Sequence, residues 1–435
     1  MITTSSRKSP GYRPGRVASV VALGSAAVLL AACSNTTAGS SKTGATGTNA
    51  SSGTSDTVIT PDKVDQKALA DTIHRALFAN VPVSQLDPVM ANTMAAASVP
   101  LTPEQNALLQ KCIKQASCDT GHGTLTIGIN ATDANNPWWN IRRAEATAQA
   151  LAYPQVKKII YTSSSGNIAE VLANLRSLIA QRVDIIVDNP DFGAAILPVV
   201  RQAKSAGILF ITANAPLPDN STNVTAVQIP FDLCQMGTTA GEKLAKVPGK
   251  VKSYALYTGI PGNSVAAAWH PCAQKALNGL GWTQATQGFT QWTPQGSSQA
   301  ANALLASGKK VGAILNDDYM DEFLKAYLAS KTTPPATFND APRFSSFQVE
   351  KQLKTANLNP VDMVANGHVW YGRAAVTAGI MLKAGIKVAP KVVPPVPVVP
   401  MSSIEDLDIP GAPATSVIGT LLTLDQMKMA LASGS

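Results

Sequence analysis

Short β-branched apolar runs alternate along this chain with longer stretches whose apolar residues fall at helical spacing. Residues 125–129 form the first strand-like run, and a helical stretch from about 138 to 152 follows it. Further runs at 158–162, 183–187 and 208–212 are separated by helical stretches over 168–181 and about 194–206, and a run at 224–229 follows. Strands recurring with helices between them predict a parallel sheet covered on both faces. The series starts again after Asp232, with a strand at 252–258, a helix over 265–280, a strand at 311–315 and a helix over 319–330. It therefore runs twice, with a break near residue 230. The pattern predicts two α/β units.

Residues 58–120 differ and read as a helical prefix. Apolar residues between Asp62 and Phe78 keep helical spacing. Thr102-Pro103 offers an N-cap and a proline at the first helical position.

The N-terminus bears on the compartment. Arg7, Lys8, Arg13 and Arg16 precede an apolar run over 17–32 that ends in small residues. The run is short beside the roughly 20 residues a membrane span needs, and it reads as an export signal. Leu30-Ala31-Ala32-Cys33 resembles the lipobox of bacterial lipoproteins. That resemblance implies that 1–32 is a signal peptide and that Cys33 is lipidated and becomes the new N-terminus. Residues 34–57 are almost wholly Ser, Thr, Gly, Ala and Asn. They bury too little apolar surface to offset their ordering entropy, so 33–57 is expected to be a flexible tether. The expected place is the outer face of a bacterial cytoplasmic membrane, held by a lipid anchor.

Composition changes this picture little. The 435 residues suffice for two or three domain-sized units, and the 45% apolar share is ordinary for a globular protein. The net charge of +8 suggests nucleic acid, yet residues 1–32 supply four of those charges and hold no acid. No block of Lys and Arg is interleaved with aromatics, which excludes a nucleic-acid surface. Apart from Cys33, the cysteines are Cys112, Cys118, Cys234 and Cys272. An even number in an exported chain favours disulfides. Three pairings are possible; Cys112–Cys118, close in sequence, and Cys234–Cys272 are favoured. His74, His122, His270 and His368 are scattered without metal-ligand spacing, and no metal or cofactor is expected.

In an open parallel sheet the ligand sits beyond the carboxyl ends of the strands. Here those positions are 130–139, 188–192, 213–218, 260–264 and 316–318, which are rich in Asn, Asp, Pro and Trp. Asn, Asp and Pro also serve turns. Trp138 and Trp139 are harder to dismiss, because two adjacent rings at a helix start cannot both face one core. Trp282 and Trp292 flank a predicted strand and are expected to pack in the core or on the surface. Gly259-Ile-Pro-Gly262 lacks the Lys and hydroxyl of a P-loop and reads as a tight strand-to-helix turn.

At this point the sequence resembles the type I periplasmic sugar-binding proteins of the ribose-binding-protein-like group. Five stretches carry the likeness, in order: Ile127-Gly-Ile-Asn-Ala-Thr-Asp-Ala-Asn-Asn-Pro-Trp-Trp139, Leu178-Ile-Ala-Gln-Arg-Val-Asp-Ile-Ile-Val-Asp-Asn-Pro190, Pro261-Gly-Asn-Ser264, Leu315-Asn-Asp-Asp318 and Tyr371-Gly-Arg-Ala374. The resemblance covers about 124–400. It implies an α/β fold of two doubly wound parallel-sheet lobes joined by a hinge. The first lobe would take 124–231 and 367–393, the second 232–366 and 394–435. It implies that Asn136, Trp138, Trp139 and Asn189 contact ligand from the first lobe and Asn316 from the second. Asn366 stands near the hinge, where the family often has Gln.

The departures also inform. Where the sugar binders carry an Asp-Arg pair that grips hydroxyls, this chain has Asn214-Ala215, and Trp269 stands in place of a family Arg. Around 344–347 no counterpart of a further family Asp is found. The site is expected to include Asn214 and Trp269 and to suit an aromatic or alicyclic ligand, with a sugar as the alternative. The function implied is capture of a small molecule by a monomer and delivery to the membrane permease of an ABC importer. The alternative is a receptor component that passes ligand occupancy to a membrane signalling protein. Regulators of the lactose-repressor type share the fold but begin with a helix-turn-helix, where this chain has an export signal. No nucleophile elbow, His-Glu-x-x-His or Cys–His pair supports an enzyme, and Asp191 and Asp317 are isolated carboxylates after strands.

Overall fold

The computed structural model describes residues 58–133, 136–249 and 251–433. The expected signal peptide, the lipidation site Cys33 and the tether 33–57 lie outside the described residues.

The prefix forms three helices, α1 (Gln66–Leu77), α2 (Pro88–Ser98) and α3 (Pro103–Cys112), and an unforeseen short strand, β1 (Ser117–Asp119). Asp65 caps α1 through the Ala68 N–H at 2.7 Å. Thr102 and Gln105 form a reciprocal capping box at the start of α3. The strand arises because the Cys112–Cys118 disulfide turns the chain back at the end of α3. Cys118 is thereby laid antiparallel against Ile159.

Beyond the prefix, β2 (Leu125–Ala131), α4 (Pro137–Leu151), β3 (Val156–Ser163), α5 (Ile168–Ala180), β4 (Ile185–Asp188), α6 (Leu197–Ser205), β5 (Leu209–Asn214) and β6 (Val227–Pro230) build the first lobe. Its six strands run in the order β1-β3-β2-β4-β5-β6, parallel except for β1. All four residues of β4 are buried, as expected of a parallel strand covered on both faces. The second lobe contains α7 (Leu233–Ala245), β7 (Ser253–Thr258), α8 (Ser264–Gly279), β8 (Thr283–Phe289), α9 (Pro294–Ala306), β9 (Ala313–Asn316), α10 (Met320–Ala329), β10 (Ala336–Asn339), α11 (Phe344–Thr355) and β11 (Asp362–Val364). The chain then returns to the first lobe as α12 (Tyr371–Lys383) and crosses again to add β12 (Val399–Pro400) antiparallel to β11. The second sheet runs β12-β11-β10-β9-β7-β8. Its parallel strands repeat the order of the first lobe.

The last helix, α13 (Leu424–Ala432), departs from the expectation that 394–435 belongs to the second lobe: it packs against α3 and α4. Its residues Met427 and Ala430 are buried. The prefix rests on the same side of the first lobe, with α2 against α12 and α3 against α4. Every residue from Val89 to Ala96 is buried.

The second disulfide, Cys234–Cys272, clamps α7 to α8. The two helices lie close because Gly237 has no side chain: a Cβ there would come within 2.5 Å of the Trp269 carbonyl oxygen. Cys234 and Cys272 are 38 residues apart. Replacing both with Ala is expected to lower stability by about 2–4 kcal/mol, chiefly by freeing the unfolded chain. Denaturant unfolding checks this; an unchanged midpoint would show that the bond adds nothing.

Candidate functional site

Both sheets present the carboxyl ends of their parallel strands to one cleft, and the side chains lining it come from the segments just past those ends. From the first lobe, Asn136 caps α4 by accepting the Trp138 N–H at 2.8 Å. This cap and Pro137 fix where the helix starts, and so bring Trp138 and Trp139 to the cleft in its first turn. The two rings meet edge-on, centroids 4.9 Å apart. The buried Arg142 guanidinium lies 5.6 Å from the Trp138 ring centroid and 5.8 Å from that of Trp139. Trp138 also donates its indole N–H to the Gly367 carbonyl at 2.9 Å.

Past β4, Asn189 donates to the Asp191 carboxylate at 2.6 Å, while its own Oδ1 is buried without a partner. Burial pushes the Asp191 carboxyl up to about 7 and that of Asp188, behind it, to about 6. Asn214, at the end of β5, lines the cleft with φ +82°, a left-handed conformation that Asn tolerates.

The second lobe contributes Val265, Trp292, Asp317, Asp318, Asp340 and Ala341. The Trp292 ring lies over Gly259, where a Cβ would fall 2.0 Å from the indole. The glycine of this turn therefore makes room for a ring. Trp292 donates its indole N–H to Asp317 at 3.1 Å, and Asp317 also accepts from the Thr258 hydroxyl. Asp318 is held by Arg343 through two bonds, at 3.0 and 2.7 Å. Asp340 has one oxygen 3.5 Å from His368 Nε2 and the other without a partner. Burial raises the carboxyls of Asp317 and Asp340 and depresses the His368 imidazole to about 3, so His368 is neutral. The lobes touch across the cleft: Asn136 Nδ2 donates to the Trp292 carbonyl at 3.1 Å, and the Ser264 N–H to the Asp191 carbonyl at 3.3 Å.

Of the residues singled out from sequence, Asn136, Trp138, Trp139, Asn189 and Asn214 come together at the cleft. Trp269 does not. It is fully buried, on the stripe with Ala273 and Leu277 that faces the second sheet, and its ring lies 5.8 Å from Phe338. Asn316 is also fully buried and donates to the Asp318 carbonyl, shaping the turn that carries Asp317 and Asp318. Asn366 accepts the His368 N–H at 3.1 Å and so serves the turn that presents His368. Trp292, expected to pack in the core or on the surface, lines the cleft instead, and Asp340 and His368 were not foreseen.

Two such lobes around one cleft define a bilobal solute-binding fold. The periplasmic binding protein domain family matches residues 127–363, more than half of the chain, and the protein belongs to that family. Its members bind solutes and are not enzymes. Solved structures resemble the chain at low identity. A solute-binding protein of an ABC transporter from Bacillus halodurans, with bound myo-inositol, is 17% identical at a TM-score of 0.57, covering 66% of this chain and 98% of its own. One from Mycobacterium smegmatis with bound glycerol is 19% identical at 0.57, covering 66% and 98%. The fructose-binding periplasmic domain of a hybrid two-component system is 15% identical at 0.55, covering 66% and 93%. No curated protein matches the chain. Among the described residues no helix is long and apolar enough to cross a membrane.

Proposed function

We propose that the protein captures a small cyclic solute in this cleft, on the outer side of the membrane, and hands it to the permease of an ABC importer while Cys33 holds it to the bilayer. The observation that carries the reading is that both lobes present tryptophans to the cleft, Trp138 and Trp139 from one side and Trp292 from the other. Tryptophans brought to one cleft from both sides suit a flat or ring-shaped ligand, aromatic, alicyclic or sugar-like. Binding to one lobe and bridging to the other would favour the closed arrangement, which the membrane partner recognises.

A thermal-shift screen against pentoses, hexoses, aromatic acids and alicyclic compounds tests it. At least one class is expected to raise the melting temperature by several degrees. Silence across all of them, and across cyclic amines, would overturn the reading. A second reading, a sensor that passes occupancy to a membrane receptor, is favoured by the likeness to the periplasmic domain of a two-component system. A neighbouring gene for a sensor kinase, instead of a permease and ATPase, would select it.

A further inference from the structure

The cleft gathers more carboxyl groups than guanidiniums. Five carboxylates, Asp188, Asp191, Asp317, Asp318 and Asp340, lie in or directly behind it, each at most 9% exposed. Two guanidiniums face them. Arg343 is committed to Asp318 by a bidentate pair. Arg142 stands behind the tryptophan rings without an ion-pair contact to any of the five, but its charge favours the ionised forms of Asp188 and Asp191 and leaves Asp317 and Asp340 unanswered. His368, the remaining titratable group against Asp340, is neutral.

The unsatisfied atoms aimed at the cleft point the same way. Asp340 is 2% exposed and Asn189 3% exposed; both line the cleft, and each has an acceptor oxygen without a donor. Buried acceptors left in this state are costly unless a ligand supplies the donors. Asp317 has both oxygens engaged as acceptors, from Thr258 and Trp292. The indole N–H can bond only to an acceptor. Among the described residues no group of three or more His, Cys, Asp or Glu side chains could hold a metal ion, so the acids are not a metal cage. What answers a surplus of carboxyls, donor-hungry oxygens and three indoles together is an organic cation, whose charge draws the carboxyls into their ionised form.

Resting on the solute-binding reading above, we infer that the solute is a small cyclic or aromatic amine, bound as its ammonium ion, with the charge toward Asp317 and Asp340 and the ring among Trp138, Trp139 and Trp292. An ammonium group has only donors to offer, which is what the free Asp340 oxygen lacks, while each Asp317 oxygen keeps a further lone pair for it. The neutral alternative is that the carboxyls keep their protons and bind a polyol. Burial raises Asp191 and Asp317 to about 7, so both protonation states of these two are within reach near neutrality, and it pushes Asp340 well upward.

Titration calorimetry with matched pairs separates the two: benzylamine against benzyl alcohol, cyclohexylamine against cyclohexanol, and glucosamine against glucose. At least one amine is expected to bind ten-fold or more tightly than its neutral partner. For benzylamine and cyclohexylamine, which stay protonated throughout, affinity should rise several-fold from pH 5.5 to pH 8 as Asp191 and Asp317 shed protons. Asp340→Asn, which keeps the shape and removes the charge, should weaken the amine about ten-fold more than it weakens the neutral partner. Neutral partners binding as well as the amines, or an affinity that is flat or falls with pH, would overturn the charge assignment and leave the solute-binding reading standing. Failure of these pairs and of the sugars and acids of the broader screen would overturn both.

Discussion

Replacing Arg373 with Ala is expected to destabilise the protein by about 3–5 kcal/mol, because it strands a buried carboxylate. Arg373 on α12 binds Glu145 on α4 through its Nε and donates to Gln149 Oε1 at 3.1 Å. The side chains are 5% and 0% exposed, which puts the pair in the buried regime and not among surface bridges of little worth. Glu145 also accepts from the Thr420 hydroxyl at 2.5 Å and the Leu421 N–H at 2.6 Å. One carboxylate thus ties α4, α12 and the segment leading to α13. These three stretches lie far apart in sequence, and no local propensity holds them together. Urea unfolding of Arg373→Ala measures the loss. The double variant Arg373→Met, Glu145→Gln should recover at least half of it, since the amide still accepts from Leu421 and no buried carboxylate is left without its partner. A loss below about 1 kcal/mol in the single variant would show that water or another cation reaches Glu145.

The fold was legible because its signal is periodic. A parallel strand buried on both faces must be an apolar run, and the helix beside it must carry an apolar stripe; both are visible without tertiary knowledge. The site was legible in part, for a related reason. Strand ends could be placed to within a few residues, and Asn136, Trp138, Trp139, Asn189 and Asn214 follow them directly. What failed was the direction of a side chain on an element already placed correctly. Trp269 lies on α8, as expected, but one turn beyond Val265, and at that depth the stripe faces the sheet instead of the cleft. Trp292 and His368 reach the cleft from residues with φ of +49° and +40°. Such loop conformations leave no periodic trace. Asp340 follows β10, whose four residues Ala-Thr-Phe-Asn carry little strand signal. The strand β1 depends on a covalent turn and not on its own three residues.

The aromatic prediction concerns binding. Replacing both Trp138 and Trp139 with Ala is expected to weaken the preferred ligand about 100-fold. Each stacked ring contributes roughly 0.5–1.5 kcal/mol beyond the area it covers, the lost area adds to this, and 1.4 kcal/mol is a factor of ten. The helix should survive, since its start rests on the Asn136 cap and Pro137 and not on the indoles. Stability should nonetheless fall, because Trp138 and Trp139 are only 9% and 8% exposed and Trp138 bonds the Gly367 carbonyl. Affinity must therefore be read by calorimetry well below the melting temperature of the variant. Trp138→Phe separates two roles: it keeps an aromatic face and gives up the bond to Gly367. If the ring is what the ligand meets, this variant should bind within about three-fold of the parent while melting earlier. If Trp138→Phe binds as weakly as Trp138→Ala, the bond to Gly367 is what organises the cleft, and the ring is secondary. A double Ala variant with unchanged affinity would remove the first-lobe tryptophans from the site altogether.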